Sequence, residues 1–111
     1  MRLQVFKKRL KALLSTPVEQ RDSIWAYKLC QLTRFAVQKL FKCWPDSAEV
    51  QDFLDALSGL PEAVRNAKKV GPYADRLDKF ASNMELRLAE FRAYIAEIDV
   101  PVAAGEPITS E

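Results

Sequence analysis

The apolar positions of this chain recur with the period of helices, and no stretch shows the strict alternation of a half-buried strand. Leu3, Phe6, Leu10, Leu13 and Leu14 step by three and four, which predicts a first helix over residues 2–14. The run "STPVE" then ends it. Thr16 is placed to cap a second helix, Pro17 suits a first helical position, and Glu19 stands where a capping box needs its carboxylate. From Pro17 the pattern predicts one long helix to Trp44, stopped by Pro45. Val18, Trp25, Leu29, Leu32, Ala36, Leu40 and Cys43 share one arc of it, and Ala26, Cys30, Val37, Phe41 and Trp44 widen that arc. So broad an apolar face requires more than one neighbour and puts this helix at the centre of the fold.

The segment "PDSAEVQDFLDALSG" opens with Asp46 or Ser47 as a cap and closes at Gly59, with Val50, Phe53, Leu54 and Leu57 as its buried stripe. Pro61 starts a shorter helical piece, which Gly71-Pro72 interrupts. A last helix is expected from Pro72 to about Asp99. Its stripe of Tyr73, Leu77, Phe80, Met84, Leu88, Phe91, Ile95 and Ile98 is spaced almost as a coiled-coil seam. After Val100, "PVAAGEPITSE" has two prolines, a glycine and no period. The expectation is an all-α protein: one antiparallel bundle of four to five helices over residues 1–99, with a short flexible C-terminal tail over residues 100–111.

Composition supports that picture and removes most chemistry. The chain has 111 residues, 49% apolar and 29% charged, which suits one hydrophobic core and argues against disorder. No run approaches the ~18 apolar residues of a membrane span, and Lys7, Lys8, Arg9 and Lys11 interrupt the apolar run a signal peptide would need, so a cytoplasmic location is expected. Histidine is absent, which excludes Ser-His and Cys-His pairs, imidazole acid-base chemistry and imidazole metal ligands. Cys30 and Cys43 lie thirteen residues apart on one predicted helix, a separation of roughly 20 Å that no disulfide spans. Buried, reduced thiols are expected there. Asp52 with Asp55, and Asp75 with Asp78, each share a helical face, but no histidine completes a metal site and the flanking pattern solvates all four. No phosphate-binding glycine loop or nucleophile elbow occurs. A non-enzyme without cofactor or metal is therefore expected.

Charge is what distinguishes this sequence from an anonymous bundle. Residues 1–44 hold ten basic and two acidic side chains, net +8, whereas the whole chain carries only +2. On the second helix Lys28, Gln31, Phe35, Gln38 and Lys42 step by 3, 4, 3 and 4 opposite the core arc, near Arg34, Lys39 and Tyr27. The leading expectation is an accessory protein that holds the backbone of RNA or single-stranded DNA, as in a small subunit of a ribonucleoprotein complex. Lys7, Lys8, Arg9, Lys11, Lys28, Arg34, Lys39 and Lys42 would supply phosphate contacts and Phe35 a stacking ring. The alternative is a protein-interaction module, an adaptor, chaperone or inhibitor, whose basic face meets an acidic protein or whose helices form a homo-oligomer. Phe35 and the outward Leu86 would then be its anchors. A membrane-surface role for the first helix ranks behind both, because its leucines are needed for the bundle.

Overall fold

The computed structural model describes the backbone of residues 2–43 and 47–104, with side chains as far as Glu97. Among the described residues five α-helices follow one another: α1 (Leu3–Leu14), α2 (Ser23–Phe35), α3 (Ala48–Ser58), α4 (Leu60–Arg65) and α5 (Leu77–Ala104). Among the described residues there is no strand, and no helix is long and apolar enough to cross a membrane.

Side-chain pairs set the directions. Trp25 Nε1 donates to the Leu13 carbonyl at 2.8 Å, and the rings of Phe6 and Phe41 meet at 5.4 Å, so α1 runs antiparallel to α2. Arg92 reaches Asp55 and Ser58 while Arg65 reaches Glu85, so α3 and α4 together form one leg antiparallel to α5. The chain thus goes up and down through four legs, an antiparallel all-α bundle. α5 packs on α2, α3 and α4, whereas α1 packs chiefly on α2. Phe6, Phe41, Phe53 and Phe91 close one end of the core, with centroid separations from 4.9 Å (Phe6 to Phe53) to 6.0 Å (Phe41 to Phe53), the range in which offset and edge-on rings attract.

The second helix departs from expectation at both ends. It starts at Ser23 rather than Pro17. The capping box does not form: Thr16 Oγ1 donates back to the Ala12 carbonyl, residues 18–20 make a single 3₁₀ turn, and Asp22 Oδ1 accepts from the Ile24 and Trp25 amides instead. An Asp one turn before Trp25 competes better, because starting there lets the indole reach α1. At its far end α2 widens into a π-helical segment, Ala36–Leu40, then tightens into a 3₁₀ turn, Phe41–Cys43. These changes of winding rotate the arc. Phe41 is fully buried while Cys43, expected inside, is exposed. Cys30 is half-buried, and burial pushes its thiol above the ordinary value, although Arg87 and Arg34 pull it down.

Of the two expected caps on α3, Ser47 accepts from the Glu49 amide at 3.2 Å; Asp46 and Trp44 lie outside the described residues. α5 begins at Leu77, not Pro72, so Tyr73 precedes the helix and stacks on Tyr27 at 4.4 Å. The turn before it is tied to α2. The Ser23 amide donates to the Val70 carbonyl, buried Ser23 Oγ accepts from the Tyr73 amide, and Gly71 between them has φ +104°, a backbone that side chains resist. A methyl on Gly71 would stand 2.5 Å from Ser23 Oγ. α5 also continues to Ala104 through Pro101, five residues past Asp99; the remaining tail, residues 105–111, is outside the described set.

Candidate interaction groove

α3 fills one side of the α1–α2 pair, where Phe53 packs on Phe6 at 4.9 Å. The other side stays open. There a groove of about 580 Å³ lies between the two antiparallel helices, lined by Arg9, Ala12 and Leu13 from α1 and by Tyr27, Lys28, Gln31, Leu32 and Phe35 from α2. Leu32 forms its buried floor and Leu13 and Phe35 its half-buried walls. Gln31 Nε2 donates to the Tyr27 hydroxyl at 2.8 Å, which leaves the groove's neutral polar groups bonded to each other.

Arg9 and Lys28 stand on opposite walls, and both are exposed. Among the described residues neither has a carboxylate within ion-pair distance, in contrast to Lys7, Arg65 and Arg92. An apolar floor between two uncompensated cations is the combination that fits an amphipathic, anionic ligand.

Arg9, Lys28 and Phe35 are therefore brought together, and the other residues of the expected basic face are not. Lys8, Lys11 and Lys39 are exposed outside the groove. Lys7 turns to α3 and pairs with Glu49. Arg34 lies on the α5 side of α2, close enough to act on the Cys30 thiol together with Arg87. Lys42 sits 5.5 Å over the Tyr94 ring, in a separate cleft of about 190 Å³ that it shares with Val37, Arg87 and Glu90. Phe35 is half-buried against the core, so only part of its ring is free to stack. Tyr27, expected on the outer face, packs against Tyr73 and Phe80 in a cluster of three rings. Leu86 does point outward, 58% exposed, far along the chain from the groove. The four aspartates considered as carboxylate pairs are all exposed, and no metal-binding group of histidine, cysteine or carboxylate side chains occurs among the described residues.

Ala12, Leu13 and Leu32 are the lining residues that the sequence pattern does not place at a site, Leu32 because it falls in the core arc of the second helix. Periodicity assigned Leu13 to the core and gave Ala12 no role, because it locates a face of one helix and not the gap between two. No family model, curated protein or solved structure matches this chain.

Proposed function

We propose that this protein is a non-enzymatic interaction module whose α1–α2 face receives an acidic partner protein. One observation carries the reading: Arg9 and Lys28 flank an apolar groove without any carboxylate of the described chain to neutralise them. Lys7 and Arg92 are paired within the fold, while other exposed cations such as Lys8, Lys11 and Lys39 have no ion pair among the described residues. What sets Arg9 and Lys28 apart is that they flank an apolar groove. The apolar floor favours a protein over a nucleic acid, because a sugar-phosphate strand has nothing to place against Leu13, Leu32 and Phe35 except a base.

A photo-crosslinking side chain at Gln31, in the groove mouth, tests this in cell extract. Acidic protein chains should be trapped by the wild type and lost in an Arg9→Glu/Lys28→Glu variant of unchanged helicity. A second reading, the backbone of RNA or single-stranded DNA, rests on Lys8, Lys11 and Lys39, which extend exposed positive charge beyond the groove. It requires that labelled oligonucleotides bind with a steep salt dependence and that the crosslinker trap nucleic acid. If neither class of molecule is trapped, the groove is not an interaction site.

A further inference from the structure

Resting on that reading, we infer that the groove takes one amphipathic α-helix of about three turns, with an apolar stripe flanked on both sides by carboxylates. The backbone argument comes first. Both walls are helices, whose N–H and C=O groups are already paired along their own axes. Gln31 and Tyr27 bond each other. Beyond the Gln31 side-chain amide and the Tyr27 hydroxyl, this floor offers nothing to the amides that an extended peptide would turn toward it, and each amide left unpaired there costs about 1–3 kcal/mol. A helix satisfies its own backbone and can offer only side chains.

Length follows from the lining. Tyr27 to Phe35 rises about 12 Å along α2. By helical spacing, two exposed aliphatic residues outside the lining fall on the same faces: Ile24, one turn before Lys28, and Val5, one turn before Arg9 on the antiparallel helix. The stretch from Ile24 to Phe35 is about 16 Å, or three helical turns. Such a ligand would place apolar residues at positions i, i+3 or i+4, and i+7 against Ala12, Leu13, Leu32 and Phe35.

Charge then sets the flanks. Because Arg9 rises from α1 and Lys28 from α2, carboxylates are required on both sides of the ligand's stripe, and lysines there would meet like charge. The ligand class is therefore an acidic amphipathic helix; an acidic extended peptide or a basic amphipathic helix does not fit.

The test uses the full ¹⁵N-labelled chain and synthetic peptides of about 14 residues, four helical turns. One set carries leucines on a helical stripe with glutamates on both flanks, a second has the same composition scrambled, and a third replaces glutamate by lysine. The first should shift amides within 9–13 and 27–35 and bind at least about tenfold tighter than the others, a difference of about 1.4 kcal/mol. Ala12→Phe, which fills the groove without removing a contact, and Arg9→Glu/Lys28→Glu should each abolish those shifts while helicity is unchanged.

Equal binding of the scrambled peptides would overturn the helical ligand while leaving an electrostatic protein-binding face. Failure of all amphipathic peptides, with acidic proteins still crosslinked at Gln31, would do the same. Concentration-dependent shifts at these amides without peptide, or their displacement by single-stranded RNA alone, would assign the groove to a second copy or to nucleic acid and overturn the inference.

Discussion

Two helix pairs of this bundle use their cations in opposite ways. Along the α4–α5 seam, Arg65 forks onto Glu85 at 2.7 and 3.1 Å with Glu62 beside it, and Arg92 bridges Asp55 and Ser58 from the adjoining α3. Hydrogen bonding to Arg65 holds the Glu85 carboxyl below its ordinary range. Along α1–α2, Arg9 and Lys28 meet no carboxylate and an apolar gap lies between them. The first pair is closed by its own sequence. The second is complementary to something acidic and partly apolar, and is open on the side that α3 does not cover.

Variants can break or sharpen this contrast. The largest effect belongs to the core beneath both regions. Phe6→Ala removes a fully buried ring from the junction of α1, α2 and α3 and should cost about 3–5 kcal/mol in chemical denaturation. A much smaller loss would mean that α1 is loosely held and that the groove has no fixed width. Gly71→Ala forces a side chain into a positive-φ backbone against Ser23, and a loss of about 1–3 kcal/mol is expected. Because Gly71 anchors the loop at the start of α2, its thermal midpoint should fall without any change in the residues lining the groove.

Thiol chemistry separates the two ends of α2. Exposed Cys43 should be alkylated several-fold faster than Cys30 in the folded protein, since burial disfavours the Cys30 thiolate. Equal rates would show that the winding change after Phe35 does not rotate Cys43 outward. The smallest effect is at the seam. Glu85 has a depressed folded value, so its contribution is complete above the unfolded carboxylate range and lost as pH falls through the folded value. The thermal midpoint should therefore drop slightly more on acidification in the wild type than in Arg65→Met. Both groups are solvent-facing, which keeps the difference small.

Much of this was legible in the residue pattern. The stripes of α3 and α5 are buried almost as their spacing indicates: Val50, Leu54 and Leu57 in one, Leu77, Met84, Leu88, Phe91 and Ile95 in the other. The apolar face of α1 belongs to the fold only in part: Phe6 and Leu10 are buried and Leu3 and Leu13 pack against the core, whereas Leu14 is exposed. Less legible were the ends of α2. There two acceptable caps compete, and the choice depends on Trp25 reaching Leu13 across the bundle. Less legible still was the site. A helical wheel put Lys28, Phe35 and Lys42 on one stripe, but the π-helical segment between Phe35 and Lys42 turned Lys42 toward α5 and left only the first two at the groove.

The sequence by itself determined that this protein is helical, where most of its apolar faces lie, and that its positive charge gathers in the first 44 residues. Those properties are local sums of period, propensity and charge. Tertiary structure alone decided which cations are neutralised and which are not. Lys7 is paired because α3 packs on one side of α1–α2, and Arg65 and Arg92 reach Glu85 and Asp55 because α3 and α4 lie along α5; such pairs form only where segments far apart in sequence come within a few ångströms.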